Sequence, residues 1–248
     1  MKKNYISLIL DSPLQSWGAS SHPGIDFRTT LRHPTKSGII GIISAALGID
    51  RSSPEEPKLI ESLSQQILVK FFELSKPLIR SQQQVVVQKI TDFAAIGNYM
   101  LAEGKKKIVG KYVISKKEYL CDITFIAILE IENEELSKKI ESALKNPKWG
   151  IWLGRKCCIP SLPLFVQRST EWENVWQAVW QKFQLLDMEY PKPSNFLSIE
   201  PLNKEDPDFQ KGELIDNIMD EPRSFSRPNQ YVSRRILKRH PQGEDASF

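Results

Sequence analysis

The residues with the clearest chemical potential lie at the start of an apolar helix. The segment 35–48 carries branched and small side chains with almost no polar face, which is typical of a buried helix. Thr35 or Ser37 can cap its first turn, and Gly48 can end it. Its free N–H groups, with the nearby cations, would form an anion site for which phosphate is the obvious candidate. The cations are Arg28, Arg32 and Lys36.

A plainer alternative exists for the same residues. A core helix can follow a basic segment that is simply solvated, because a helix N-terminus accepts any anion or only water. From the residues alone, this alternative is favoured over a phosphate site.

No strong catalytic constellation is present in the sequence. Lys36-Ser37 is not preceded by GxxxxG, GxSxG is missing, and the cysteines have no motif-level histidine partner, so a P-loop and a nucleophile elbow are rejected. A metal-independent endoribonuclease needs only a general base and cations near a 2′-hydroxyl. That hypothesis stays open as the runner-up, and its candidate residues are His22, His33, Tyr112, Lys116 and Lys117.

Cysteine and histidine usage argues against a metal or another cofactor. The cysteines are Cys121, Cys157 and Cys158, without CxxC spacing, and the three histidines have no ligand spacing. We therefore expect reduced thiols in a cytoplasmic protein. No window approaches the ~20 apolar residues of a membrane span, and the first residues lack the pattern of a signal peptide, so no membrane association is expected.

Positive charge is concentrated in two regions. The formal net charge is only +4, but lysines crowd residues 105–117 and arginines and lysines crowd 223–239. Two basic patches on an otherwise balanced chain are typical of a protein that binds nucleic acid. Solvated charged surfaces would give the same sequence pattern.

The order of predicted elements indicates an α+β fold. The elements follow the order strand, helix, strand, insertion, strand, helix, strand. This is the βαββαβ order of a ferredoxin-like (RRM-like) domain. In RNA recognition modules, the open sheet face of this fold binds single strands. The aromatic signature of those modules is missing here. In chain order the elements are a strand at 5–10 ended by 11–13, the helix 35–48, a helix 58–66, a strand 66–74, a β-prone insertion 76–119, a strand 119–131, a helix 133–145 and a short strand within 148–165.

The remainder of the chain has a different pattern. A helix at 171–183 carries an aromatic stripe, interpreted as packing rather than as a cofactor site. Residues 187–230 should be irregular or extended, and 230–237 forms a final basic strand. The expected division is an RNA-binding domain, 1–168, and a C-terminal region, 169–248.

Four segments resemble one family along nearly the whole chain. Together they are similar to the CasD-type subunits (Cas five family, RAMP superfamily) of the type I-E CRISPR Cascade complex. The segments are LQSWG at 14–18, RHPTKSGIIG through LGIDR at 32–51, EYLCD at 118–122, and LGRKCC followed by PLF at 153–165.

The resemblance implies a fold and a role. The fold is a ferredoxin-like core with an inserted β-hairpin thumb at about 76–119 and a smaller C-terminal region. The role is non-catalytic: an RNA-binding subunit of an antiviral ribonucleoprotein complex that caps the 5′ handle of the CRISPR guide RNA and anchors the backbone filament. Expected partners are that RNA, the repeated backbone subunit, the large PAM-reading subunit and, indirectly, target DNA.

The resemblance, with the basic residues, suggests a set of RNA-contacting side chains. Trp17 has a core anchor as an equal alternative, Arg155 and Lys156 could simply be solvated in a tight turn, and the whole chain could be a scaffold whose basic tail, 234–239, binds a partner. A related branch of the family cuts RNA itself, which keeps the endoribonuclease alternative open. The expected RNA-contacting residues are Trp17, Arg28, Arg32, Lys36, Ser37, Lys105, Lys106, Lys107, Lys111, Arg155 and Lys156.

Overall fold

The chain folds into a mixed α/β structure built on a mainly antiparallel sheet. The computed structural model describes residues 3–18, 27–74, 88–96, 113–186, 197–201, 215–226 and 230–239. Its helices are α1 (Lys36–Leu47), α2 (Glu56–Gln66), α3 (Glu134–Lys145) and α4 (Trp172–Leu185). Its strands are β1 (Asn4–Gln15), β2 (Trp17–Gly18), β3 (Phe27–Arg28), β4 (Thr30–Leu31), β5 (Ile67–Leu74), β6 (Gln88–Ile96), β7 (Val113–Ile131), β8 (Phe165–Ser169), β9 (Leu197–Pro201), β10 (Ile215–Ser224) and β11 (Gln230–Arg239).

The main sheet has the strand order β10-β11-β9-β5-β7-β1-β8, and every pair along this path is antiparallel. The short strand β3 adds to β7 in parallel, and β2 pairs with β4 in a separate ribbon. The strands predicted at 66–74 and 119–131 are thus the centre of this sheet as β5 and β7.

Strand β7 is the longest element and changes partner along its length. Its first half pairs with β6 as far as Cys121, and its second half pairs with β5 from Thr124 onward. Between them, Asp122 has a positive φ of 51°, a left-handed conformation that Asp tolerates better than most residues. The described parts of the predicted insertion are β6 and the beginning of β7, which pair with each other within the same sheet.

Strand β1 is longer than expected, because the predicted stop at 11–13 is wrong. On its β7 side, pairing continues past Pro13 to Gln15. On its other side, the ladder with β8 ends at Leu8. Pro13 therefore lies where no N–H is needed for the sheet, and loop contacts such as Ser161 N to the Asp11 carbonyl at 2.8 Å replace the ladder.

Helix α1 has the boundaries that its sequence predicts. The Thr35 hydroxyl accepts from the Gly38 N–H at 3.1 Å, and Gly48 ends the helix in the left-handed conformation at φ 72°. Ile39, Ile40 and Ile43 are fully buried. Both end signals are local, and both work as expected.

The aromatic helix α4 covers the second face of the sheet. Alternate residues of β1 enter different clusters: Leu8 packs with α1 and α3, whereas Ile9 packs with Val179 and Phe183 of α4. The ring of Trp172 lies edge-on to Tyr5 at 5.7 Å. The predicted packing role of the aromatic stripe is confirmed, and the sheet region under α4 is closed to a nucleic-acid strand.

The C-terminal third contains more strand than expected. The prediction that residues 187–230 are irregular or extended is confirmed for β9 and β10, which are extended strands of the main sheet: β10 pairs with β11, and β11 pairs with β9. β9 also pairs with β5, so one sheet contains strands from both sides of the domain boundary expected at residue 168, and that division remains a prediction.

The short strand expected within 148–165 is instead an irregular loop, and β8 begins only at Phe165. Among the described residues, no helix is long and apolar enough to cross a membrane.

Replacing Phe183 by Ala tests the packing of α4. Phe183 is 1% exposed, so the cavity should lower the free energy of unfolding by about 3 to 5 kcal/mol. Leu185, in the same helix and 87% exposed, is the matched control, and Leu185→Ala should leave urea unfolding nearly unchanged. Equal unfolding midpoints for the two variants would contradict the packing of α4 on the sheet.

Candidate nucleic-acid interface

Trp17 is a core anchor in this structure. Its side chain is 1% exposed, and its ring lies so close to Gly38 that an added Cβ would sit 2.7 Å from it. Its Nε1 donates to the Gln15 side chain at 3.1 Å. The alternative of a core anchor therefore describes Trp17 better than a base-stacking role, since neither ring face is open to a base.

Gln15 holds the Trp17 anchor in place and was missed at the level of sequence. Its amide nitrogen donates to the carbonyls of Leu10 at 2.9 Å and Ile123 at 2.7 Å. This leaves its oxygen facing the indole N–H. A fully buried Gln is satisfied only when each polar atom has a partner. The partners of Gln15 come from the strands β1, β2 and β7, and no short sequence motif reveals such a combination.

The loop from Leu153 to Cys158 packs against the end of β1. The Ser16 N–H donates to the Leu153 carbonyl at 3.1 Å. Gly154 has φ 100°, and an added Cβ would lie 1.7 Å from the Ser16 carbonyl oxygen. Both the conformation and the close approach require glycine here.

Arg155 is a clamp between segments rather than a solvated side chain. Its guanidinium donates to the carbonyl of Glu118 at 2.8 Å and to the carbonyl of Arg28 at 3.0 Å. It also lies over the ring of Tyr119, 4.7 Å from the centroid. A planar guanidinium can make these contacts together, whereas an ammonium cannot.

A second set of bonds holds the segment that carries Arg28. The Thr30 hydroxyl accepts from the Trp17 N–H at 2.8 Å, and the Thr30 N–H donates to the Glu118 carboxylate at 3.2 Å. The Arg28 backbone is thereby fixed while its side chain stays exposed. All four of the segments singled out in the sequence meet around Trp17 in this way.

The N-terminus of α1 already has an anion, and it comes from the protein itself. The Lys36 N–H donates to Asp220 at 2.7 Å, and the Arg234 guanidinium donates to both oxygens of the same carboxylate at 2.6 and 2.9 Å. Asp220 is 2% exposed. A phosphate site at this helix end, the less favoured of the two interpretations of the sequence, does not describe this structure, because Asp220 occupies that position.

Lys36 faces the interior. It is 6% exposed, and its ammonium donates to Glu221 at 3.3 Å, which also accepts from the Ser64 hydroxyl. Burial lowers the pKa of Lys36, and the charge of Glu221 opposes that shift. Lys36 thus joins α1 to β10 instead of presenting a charge at the surface.

His33 is poorly placed for catalysis. It is 6% exposed, its Nδ1 lies 2.9 Å from the Pro34 carbonyl, and burial lowers its pKa. Lys117 is half-buried at the base of the insertion. His22, Tyr112 and the side chain of Lys116 lie outside the described residues, so the other members of the endoribonuclease hypothesis stay untested.

The surface cations of the expected set are Arg28, Arg32 and Lys156, all of which are exposed. Arg32 lies near Glu73: burial raises the pKa of that carboxyl, and the charge of Arg32 opposes the shift.

Ser37 is half-buried and donates to the Thr35 hydroxyl at 3.1 Å. Lys105, Lys106, Lys107 and Lys111 lie outside the described residues. No group of side chains suited to a metal ion occurs within the described ranges.

Comparisons with known proteins give matches over most of the chain. A family model described as "CRISPR-associated protein (Cas_Cas5)" matches residues 5–235. The "CRISPR system Cascade subunit CasD" of Escherichia coli (strain K12) is 30% identical over 167 residues, 66% of this chain and 70% of that relative.

Two solved structures share the fold at lower identity. One, described as "CRISPR RNA-guided surveillance complex", has a TM-score of 0.64 at 20% identity and covers 96% of this chain and 90% of the other. A second, "Crystal structure of Cas protein", has a TM-score of 0.59 at 21% identity, with 96% and 94% covered.

Replacing Asp220 by Asn tests the internal anion at α1. The change leaves the Arg234 guanidinium and the helix N-terminus without a compensating charge, so the free energy of unfolding should fall by about 3 to 5 kcal/mol. Lys138 is the control, because its ion pair with Glu134 is exposed on both sides and Lys138→Gln should change little. Similar urea midpoints for the two variants would show that Asp220 is not needed there.

Proposed function

The chain belongs to the Cas5 family of CRISPR-associated proteins, and we propose that it is a non-catalytic RNA-binding subunit of a CRISPR surveillance complex. In this role it caps the 5′ handle of the guide RNA and anchors one end of the backbone filament. The observation that carries the proposal is the convergence of four sequence segments around Trp17, held by hydrogen bonds and by the contact of the Trp17 ring with Gly38, beside exposed cations. A relative that is named as a Cascade subunit supports the same assignment.

The proposal includes a specific fold. The strand order β5-β7-β1-β8, with α1 between β1 and β5 and α3 between β7 and β8, supports a ferredoxin-like βαββαβ core. The pairing of β6 with the first half of β7 supports a β-hairpin thumb that extends from Asp122. The thumb lysines would lie on the residues between these two strands.

Three of the expected contact residues are engaged within the protein, and this changes the proposed interface. Arg28, Arg32 and Lys156 remain as direct phosphate contacts on the described surface, together with the thumb residues Lys105, Lys106, Lys107 and Lys111. Trp17, Lys36 and Arg155 act through the structure, since each is held by bonds within the protein. Ser37 stays at the margin of this surface as a half-buried hydroxyl.

The proposed partners follow from the family and from the name of the relative. They are the guide RNA, the repeated backbone subunit and the large PAM-reading subunit, with target DNA contacted only through them. RNA of this kind is bound through phosphates, 2′-hydroxyls and unstacked bases, which suits a fixed basic loop next to a basic hairpin. Processing of precursor RNA would then belong to a separate subunit.

A binding and cleavage assay tests the proposal. Labelled CRISPR repeat RNA, a matched processed handle and a scrambled RNA are mixed with the purified chain, without divalent metal, over a salt series. We expect salt-dependent binding that prefers the handle and leaves every RNA intact. Cutting within the repeat would establish the endoribonuclease alternative, and equal binding of the scrambled RNA would leave the scaffold alternative.

Charge removal on the insertion tests the proposed thumb contacts. Replacing Lys105, Lys106 and Lys107 together by Ala should weaken handle binding and flatten its dependence on log salt by about 2, because each lost contact to a single strand removes about 0.7. The control removes Lys138, Lys139 and Lys145 of α3 instead, which keeps the net charge of the two variants equal. Unchanged affinity and slope in the first variant would place the insertion outside the RNA footprint.

A further inference from the structure

The loop 146–164 combines exposed tryptophans with uncompensated positive charge. No Asp or Glu occurs between Glu141 and Glu171, although about a quarter of the residues in an average protein are charged, counting both signs. The loop also contains Lys148, Arg155 and Lys156. A segment with cations and no carboxylates attracts an anionic partner, because no carboxylate within the segment neutralises its charge.

Trp149 is held at the surface by its backbone. The Lys148 and Trp149 N–H groups donate to the carbonyls of Ala46 at 3.0 Å and Ala45 at 3.2 Å, at the end of α1. The indole nevertheless remains 42% exposed. Because tryptophan is highly buried on average, a backbone that is fixed with the ring outward suggests that the ring is kept for a ligand.

Trp152 lies three residues further on and is positioned by a contact of its ring rather than by its backbone. Its ring rests on Gly150, where an added Cβ would lie 2.9 Å from the ring. The ammonium of Lys156 lies 5.8 Å from the centroid of the ring, and the ring is half-buried. An aromatic ring of fixed orientation with a movable cation beside it is the arrangement with which proteins bind single-stranded nucleic acid, by stacking a base and contacting its phosphate.

We propose that Trp152 and Trp149 form a stacking platform for unpaired bases of single-stranded RNA, with Lys156 and Lys148 contacting the phosphates. The inference rests on the proposed RNA-binding function and assigns it a second region, separate from the insertion and on the loop 146–164. RNA is preferred to a protein partner because the loop offers cations and flat rings together, and because base stacking needs no particular sequence.

The tryptophan variants give the direct test. Trp152→Ala and Trp149→Ala should each weaken handle binding about 5- to 150-fold, the range for one lost base stack. Trp152→Phe should retain most of the affinity, and the slope of affinity against log salt should stay at its original value in all three, because no charge is removed. Ile159→Ala is the control, since Ile159 is in the same loop, is 64% exposed and offers no ring.

Fluorescence provides a readout that does not depend on the alanine variants folding. Handle RNA should quench the emission of the original chain, and the quench should shrink in Trp152→Phe and in Trp149→Phe. Alanine variants that bind as tightly as the original, or phenylalanine variants with an undiminished quench, would overturn the platform.

The remaining outcomes separate this inference from the proposed function. If the original chain prefers handle RNA while the tryptophan variants bind it equally well, only the platform fails. If the original chain has no preference for the handle, the proposed function itself fails. If Trp149→Ala and Ile159→Ala both impair association with the neighbouring subunits and leave RNA binding intact, the loop is a protein interface and the platform is overturned.

Discussion

The close junction around Trp17 is the constraint on which the rest of the interface depends. The indole can reach Gly38 only because that residue has no side chain, and the loop of Arg155 can reach Ser16 only because residue 154 is glycine. The first contact packs α1 against Trp17, and the second packs the loop 153–158 against Ser16 at the end of β1. The bonds of Arg155 then extend the junction to β7 and to the segment of Arg28, so a change at its centre would disturb the backbone that carries Arg28.

The sheet determines where RNA can and cannot bind. Helices α1 and α3 pack on one face of the central strands, and α4 packs on the other. With both faces used for the core, the open-face mode of RNA recognition modules is not possible in that region. Of the cations proposed as contacts, Arg28 lies on the short strand β3, Arg32 and Lys156 lie on loops, and the remaining lysines belong to the insertion.

The features that could be predicted from sequence are those with local causes. The ends of α1 follow from Thr35 and Gly48, and the packing of α4 follows from the spacing of its aromatic residues. The full length of β1 was missed because Pro13 is tolerated only where the neighbouring ladder has ended. The pairing of β9 and β10 could not be predicted, because polar, proline-containing strands depend on their partners. The contact of Asp220 with the N-terminus of α1 was missed because Asp220 and Lys36 are 184 positions apart in the sequence. The burial of Lys36 and the backbone contacts of Arg155 have the same non-local origin.

That separation also has a consequence for how the protein is made. Helix α1 emerges from the ribosome long before Asp220 and Arg234 do, and at typical rates of synthesis the delay is about 10 to 40 seconds. During this interval the nascent chain has an apolar helix whose N-terminus lacks its carboxylate and a lysine that lacks its partner. The first half of the sheet can pair early, but its completion must wait for β10 and β11, and long-range pairings of this kind are slow to form. The chain therefore has to be protected from aggregation for most of its translation.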